Sequence, residues 1–207
     1  CNLTLDNMTV EDTNAQYGVS NNCGNISINN TTINAGSNAN QFAFDVCGYA
    51  KYTAGVTVTV SGTSVINGKV EISKSAGNTE LMKLNITSGT FNGDLKVDAS
   101  VGTENAQSII SVSGGTFSDP SVLKYMATNA TVDIKLLSNI NIAKTELATG
   151  YILNAANATA NLNLNGHDII NSSETADATP FTQIFTVQNG TLNISGNGNV
   201  KCDASAT

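Results

Sequence analysis

Few residues in this chain have the types and spacing that acid–base chemistry needs. The only histidine, His167, directly precedes Asp168, and Asp94 lies four residues before Asp98. Glycoside hydrolysis uses two carboxyl groups at a set separation, and these residues are the candidates for such a pair. A lone histidine in a polar turn is more often a solvated residue than a catalytic one. We therefore expect no catalytic residues and no enzyme activity.

Metal and cofactor chemistry also lacks a motif. The four cysteines stand at positions 1, 23, 47 and 202, and no two of them form a CxxC pair. Zinc sites in proteins normally use closely spaced Cys and His ligands. The sequence therefore predicts neither a metal site nor a cofactor.

The tyrosines are the residues that could bind a sugar, because the chain has no tryptophan. Aromatic rings offer a flat apolar face against which a sugar ring can stack. Tyr49 and Tyr52 flank Lys51 in a predicted loop, and we predict these three residues as the carbohydrate-binding site. The other candidates are Tyr17, Tyr125 and Tyr151. The alternative is that these tyrosines pack over the edge of the fold.

A recurring sequence motif, called the phrase below, predicts the strands and turns that position these residues. It consists of two apolar residues two apart, a polar turn and a third apolar residue about five positions later, as in Leu84, Ile86 and Phe91. The next phrase begins at Ile110, 26 residues after Leu84. This period falls in the range of solenoid repeats. The polar turns carry Asn, Ser and Gly, which tolerate positive φ, and we expect the asparagines to stack as structural ladders.

One phrase is too short to bury its own apolar side chains, so successive coils must stack to form a core. We predict an all-β fold, a right-handed parallel β-helix (β-solenoid) with coils of about 22–30 residues and at most one or two short helices. Seven residues are expected to form one aliphatic column in its core: Leu5, Ile28, Val60, Ile86, Val112, Leu164 and Ile194.

The cysteine spacing fits the same repeat. Cys1 and Cys23 are separated by about one coil and each precedes its phrase by two or three residues, so we predict a disulfide between them. The alternative is that both are reduced and buried in the core. Cys202 has no evident partner.

Composition excludes two classes of partner. The chain carries a net charge of −7, and its nine basic residues are all lysines. Nucleic-acid binding proteins use clustered lysine and arginine, so we expect no nucleic-acid partner. The sequence has no apolar run long enough to cross a bilayer, and we expect no membrane insertion.

The regularity of the phrase divides the chain into three segments. We predict regular coils over residues 1–118, an irregular coil or joint over 119–145, and further coils over 146–207. The joint should contain a short helix that begins near Pro120 and is capped by Asp119 or Ser121. Neither end of the chain shows a cap, so we expect one continuous solenoid that forms part of a longer protein or is covered by another subunit.

The amino-acid sequence of the repeat resembles the repeats of known solenoid proteins. The segments 112–121, 162–170 and 192–198 carry the sequences VSGGTFSDPS, LNLNGHDII and LNISGNG. They resemble the right-handed parallel β-helix repeats of pectin-lyase-like proteins, and the S-G-G-T-F and L-N-G-x-x-I repeats of gut-bacterial surface proteins and phage fibre or appendage proteins. The resemblance is specific for the fold and covers nearly the whole chain.

The resemblance implies a non-catalytic structural and adhesive module on a cell or virion surface. Its expected location is extracellular, and its expected partners are host or cell-surface glycans or proteins and the flanking domains of a longer chain. The likeness to phage fibres also implies a homotrimer. Such a module could bind glycans through its variable loops.

Two alternative functions remain open at this point. The first is a polysaccharide lyase, hydrolase or phage depolymerase. Lyases of the resembled family use an arginine or lysine base beside carboxylate-bound calcium, and its hydrolases commonly use an adjacent aspartate pair, whereas this chain has no arginine and no Asp-Asp pair. The second is a eukaryotic secreted glycoprotein, which eleven N-x-S/T sequons would suit. These sequons begin at Asn2, Asn7, Asn25, Asn29, Asn30, Asn85, Asn129, Asn157, Asn171, Asn189 and Asn193.

Overall fold

A computed structural model describes residues 1–49, 51–52, 54–76, 81–101, 109–142, 150–172 and 183–203 of the chain. These residues form an all-β structure of parallel strands, stacked in sheets. In this part of the chain no helix is both long and apolar enough to cross a membrane.

The first half of the chain contains twelve strands in the described residues. In chain order they are β1 (Asn2–Asp6), β2 (Thr9–Glu11), β3 (Tyr17–Val19), β4 (Gly24–Asn29), β5 (Thr32–Asn34), β6 (Phe42–Gly48), β7 (Val56–Ser61), β8 (Val65–Asn67), β9 (Lys69–Lys74), β10 (Met82–Ile86), β11 (Thr90–Phe91) and β12 (Leu95–Val97). A 3₁₀ helix follows at Ala99–Val101.

The second half contains eight more described strands and a second 3₁₀ helix, at Pro120–Tyr125. The strands are β13 (Ile110–Val112), β14 (Thr116–Phe117), β15 (Thr131–Lys135), β16 (Ile140–Ile142), β17 (Tyr151–Asn163), β18 (Ile169–Ser172), β19 (Phe185–Ser195) and β20 (Val200–Asp203).

Consecutive strands lie in different sheets, and each sheet contains strands from successive coils. Sheet A has the order β1-β4-β7-β10-β13, and sheet C has the order β12-β9-β6-β3. Sheet B runs through all eight coils of the described chain as β19-β17-β15-β14-β11-β8-β5-β2. Sheet D contains β16, β18 and β20. Every pairing between the described strands is parallel, which is consistent with a β-solenoid.

The predicted core column is confirmed over the first five coils. Leu5, Ile28, Val60, Ile86 and Val112 occupy one register position in sheet A. Ile28, Val60, Ile86 and Val112 have no solvent exposure, and Leu5, in the terminal coil, retains 9%. Alternate residues of a strand face opposite sides, so the period-2 apolar pairs form the interior of the stack.

The assignment of Leu164 and Ile194 to that column was wrong. Ile194 pairs with Leu162 in sheet B, Leu162 pairs with Ile134, and Ile134 pairs with Phe117, so Ile194 continues the column of Phe117. Ile194 is 46% exposed, because β19 is the edge strand of sheet B. Leu164 is buried but lies just beyond the end of β17.

The long strand β17 explains this change of sheet. Its first residues pair with Phe185–Val187 of β19, and its last residues pair with both β19 and β15 in sheet B. Asn157 has a φ of 57° and turns the chain between the two parts. The apolar pair of the repeat has therefore moved from sheet A to sheet B in the later coils.

The predicted asparagine ladders are confirmed. Nδ2 of Asn34 donates to Glu11 (2.7 Å), Nδ2 of Asn67 donates to Asn34 (2.6 Å), and Nδ2 of Asn92 donates to Asn67 (2.7 Å). A second ladder joins Asp133, Asn161 and Asn193. Turn asparagines at positive φ, such as Asn7 and Asn30, also have the conformation that their residue type predicts.

The short helix predicted after residue 119 is present as the 3₁₀ helix Pro120–Tyr125. The Asp119 carboxylate caps it by accepting the backbone N–H of Ser121 at 2.7 Å. Proline at the first position suits a helix start because its missing N–H would have no partner there. In this coil the helix takes the place that strands of sheet C occupy in the earlier coils.

Candidate carbohydrate-binding surface

Tyr49 and Tyr52 form an exposed aromatic pair. They lie in the loop that leaves β6 and leads to β7, and the backbone N–H of Tyr52 donates to the carbonyl of Tyr49 at 2.9 Å. Their ring centroids are 5.9 Å apart and the ring planes are tilted by 44°. Tyr49 is 44% exposed and Tyr52 is 41% exposed, and Lys51 between them is also exposed. The loop thus presents two rings and an ammonium group to solvent.

A cleft of about 250 Å³ lies beside Tyr52. Its wall is formed by the corner where the first coil turns from β3 to β4 and by the start of β1. Amide side chains are frequent in the lining, which includes Asn2, Asn21, Asn22 and Asn25. Nδ2 of Asn25 donates to Oδ1 of Asn2 at 3.1 Å, so part of this amide set is held in place.

This arrangement combines the two kinds of contact that sugars make. The exposed face of Tyr52 can pack against the C–H face of a sugar ring, because aromatic rings bind apolar surface and keep a polar edge in water. The exposed amides of Asn2, Asn22 and Asn25 can both donate to and accept from hydroxyl groups. The surface is therefore chemically suited to a neutral glycan.

The other three tyrosines do not lie on this surface. Tyr125 and Tyr151 are buried, with 2% and 7% exposure. Tyr17 is half-buried, stacks on Phe42 at 5.6 Å, and donates its hydroxyl hydrogen to the Glu71 carboxylate. These three tyrosines pack against the fold, as the alternative interpretation of the sequence expects.

The predicted disulfide between Cys1 and Cys23 is not formed in this structure, in which both thiols are free. The register of β1 and β4 pairs Asn2 with Asn25, which places Cys1 beside Gly24. A side chain at Gly24 would meet the Cys1 carbonyl, so the two backbones are in close contact there. Cys23 therefore lies one register position away from the residue opposite Cys1. Because side chains alternate in direction along a strand, this offset does not favour a bond between the two cysteines.

A buried acidic cluster, which the sequence did not predict, lies on sheet C. Asp45 of β6 and Glu71 of β9 occupy the same register position and are 3% and 8% exposed. The backbone N–H of Asn21 donates to Asp45 at 2.7 Å, and Tyr17 donates to Glu71. Lys96 of β12 continues the row, with its Nζ 3.9 Å from Glu71.

Burial is the largest cause of the raised pKa values in and around this cluster. It raises the pKa of Asp45 from 3.8 to about 6, with the nearby Glu71 charge adding to the rise and hydrogen bonds from Asn21 and Ser20 opposing it. Burial and the bond to Glu71 raise the pKa of Tyr17, and burial raises the pKa of the Cys47 thiol.

One sequence signal could have revealed this cluster. Asp45 interrupts the otherwise apolar run Phe42–Gly48, and Glu71 stands between Val70 and Ile72. Alternation places both acids on the face opposite the core, which usually means solvent. The sequence does not show that β3 pairs with β6 and that Tyr17 and Asn21 then donate hydrogen bonds to these two carboxylates.

Two of the candidate acid–base residues, Asp168 and Asp98, make local contacts in the described structure. Asp168 accepts two hydrogen bonds from Asn199, each at 2.8 Å, and lies 3.1 Å from Nζ of Lys201. These contacts lower the pKa of Asp168, the side-chain bond from Asn199 most of all, and join neighbouring coils. Asp98 is likewise used locally, since its carboxylate accepts the backbone N–H of Ser100 at 2.8 Å.

Comparison with protein-family models, with curated proteins and with solved structures found no match.

Proposed function

We propose that this chain is a right-handed parallel β-helix module of a surface-exposed appendage, on a cell or a virion, that binds glycans and has no catalytic activity. The fold that supports this proposal is a stack of parallel sheets with a continuous hydrophobic core. Stacked strands in which each coil contacts its neighbours give a stiff, extended surface. Such a scaffold suits an exposed structural role.

The observation that carries glycan binding is the exposed Tyr49–Tyr52 pair beside the amide-lined cleft. Tyrosines that only cover the edge of a fold are expected to be largely buried, as Tyr125 and Tyr151 are. Tyr49 and Tyr52 instead leave more than 40% of their surface exposed while keeping their rings 5.9 Å apart. A pair of rings held in this way offers a ready apolar platform at little entropic cost.

The proposed setting is extracellular. The partners are glycans or proteins of a host or cell surface, together with flanking domains of the same chain, and the assembly is a homotrimer. The low charge content of 12% and the predominance of amide and hydroxyl side chains support a neutral polar ligand over a nucleic acid.

A glycan array tests the binding proposal. We expect the wild-type chain to bind one or more neutral glycans, Tyr52→Ala to abolish binding, and Tyr52→Phe to retain it, because the phenylalanine ring keeps the stacking face. Leu137→Ala is the matched control, since Leu137 is a comparably exposed apolar residue, at 54%, outside the surface described above. Circular dichroism of each variant verifies the fold.

Results of two kinds would contradict the proposal. One kind comes from the array, either no binding at all or binding that Tyr52→Ala leaves unchanged. The other is product release from polysaccharides that Asp94→Ala or Asp168→Ala abolishes, which would favour a polysaccharide-degrading enzyme. Size measurement by light scattering tests the trimer separately.

A further inference from the structure

Besides sheets A and B, the stack of coils has a third side, which sheet C forms in the early coils and sheet D forms in the later ones. In the described residues, this third side has no strand between β12 and β16. β12 is the last strand of sheet C, β16 is the first strand of sheet D, and the 3₁₀ helix Pro120–Tyr125 belongs to the coil between them. A cleft of about 280 Å³ lies at this interruption, with Leu95 of β12 and Ile142 of β16 in its lining. We call this cleft the notch. A departure from the repeat that creates a cavity marks a place where a ligand could be accommodated.

Polar groups that the fold does not use line the notch. In the described part of the chain, the Asp94 carboxylate, the Ser121 hydroxyl and the Lys124 ammonium make no hydrogen bond or ion pair. Asp119 uses one carboxylate oxygen to cap the helix, and its other oxygen has no hydrogen-bond partner among the described residues. Two acceptors and two donors are thus free to contact a molecule in the notch.

Lys124 carries a partly buried charge in the lining of the notch. It is half-buried, and its Nζ lies 4.9 Å from the centroid of the Tyr125 ring. Desolvation lowers its pKa, while the charge of Asp119 opposes this change. A partly buried charge is normally compensated by a hydrogen-bonding partner, and the described residues provide no carboxylate within ion-pair distance of Lys124. A ligand oxygen would supply that partner.

The chemistry of the lining indicates what kind of ligand fits. Two carboxylates against one ammonium disfavour an anion, whereas hydroxyl groups can donate to Asp94 and Asp119 and accept from Lys124. The buried side chains of Leu95 and Ile142 offer an apolar surface for C–H groups. The volume of about 280 Å³ is small for a ligand pocket and matches a single ring.

We propose that the notch is a binding site for a neutral, hydroxyl-rich ring of the size of one sugar residue. The notch shares no residue with the Tyr49–Tyr52 surface or its cleft. Its occupancy therefore does not depend on the proposed glycan-binding role of the tyrosines, and the two sites can be tested separately.

Amide NMR of the ¹⁵N-labelled chain tests this proposal directly. Glucose, galactose, mannose and N-acetylglucosamine are the neutral probes, and glucuronate is the anionic probe. We expect at least one neutral probe to shift the amide signals of residues 94–95, 119–124 and 140–142. Shifts from glucuronate alone would overturn the choice of a neutral ligand, and no shift in these segments with any probe would overturn the site.

Variants then test the named groups. Asp94→Asn keeps the shape of the side chain and removes its charge, and Lys124→Met keeps most of the length and removes the ammonium. Each should weaken binding of the neutral probe roughly tenfold or more, because each removes a charge-assisted hydrogen bond. Lys83→Met is the control, since Lys83 is exposed on sheet A. Equal affinity in all three variants would refute the assigned roles, and unchanged notch shifts in Tyr52→Ala would separate this site from the tyrosine surface.

Discussion

Replacing Asp45 by asparagine should remove a large part of the pH dependence of this protein's stability. Asp45 is 3% exposed and lies beside Glu71, so its charged form is disfavoured in the folded state. Asparagine has nearly the same shape, and its Oδ1 can still accept the backbone N–H that Asn21 donates at 2.7 Å. The substitution thus removes the buried charge and keeps the main hydrogen bond.

The size of the effect follows from the shift in pKa. Burial raises the pKa of Asp45 from 3.8 to about 6, so between these pH values the folded state holds a proton that the unfolded state has lost. Stability must therefore fall as pH rises through this window and level off above it. A shift of about two units corresponds to about 3 kcal/mol, which is roughly 6–12 °C in Tm for a chain of this size.

Urea unfolding at a series of pH values, followed by circular dichroism, measures this effect. Relative to Asp45→Asn, the wild type should lose about 3 kcal/mol of unfolding free energy between about pH 3 and about pH 8. Asp133→Asn is the control, because it removes the same charge from an exposed position in sheet B. Parallel pH profiles for the wild type and Asp45→Asn would refute the argument, since they would show that burial does not penalise the Asp45 charge.

Two further substitutions test the stacking itself, again by urea unfolding. Ile86→Ala removes a fully buried side chain from the centre of the sheet A column and should cost about 2–5 kcal/mol, whereas Leu81→Ala, at a site 72% exposed, should change stability by less than about 0.5 kcal/mol. Similar losses in the two would contradict the assignment of the core. Asn67→Ala breaks the hydrogen bonds with Asn34 and Asn92 and should cost about 1–2 kcal/mol, so an unchanged midpoint would show that the ladder is not stabilising.

The core of the first five coils could be predicted from the sequence because its signal is local. A period-2 apolar pair determines which side chains face inward, and the constant spacing of the pairs brings Leu5, Ile28 and Val60 into register. The asparagine ladders follow from the same spacing. Once the coils stack, residues at equal positions must be neighbours.

The later coils were harder to predict because the same apolar pair lies in sheet B there and not in sheet A. The helix Pro120–Tyr125 and the long strand β17 move the apolar pair from sheet A to sheet B, so Ile194 stacks over Leu162 and not over Val112. The phrase specifies an inward-facing pair and not the side of the coil on which the pair lies. The pairing of Asp45 with Glu71 follows the repeat, but the contacts that Tyr17 and Asn21 make with this pair do not. The notch lies where the helix Pro120–Tyr125 departs from the repeat, and a periodic pattern does not encode such a departure.

The ladder from Glu11 to Asn92 has a direction. Each asparagine donates towards the preceding coil, and the ladder begins at a carboxylate, which can accept but cannot donate. A duplicated copy of the Asn67 coil, inserted beside the original, would therefore preserve every bond. A duplicated Glu11 coil at the same place would set two acceptors against each other. Duplication of the Asn67 coil is thus compatible with the ladder, whereas a copy of the Glu11 coil within it would interrupt the chain of hydrogen bonds.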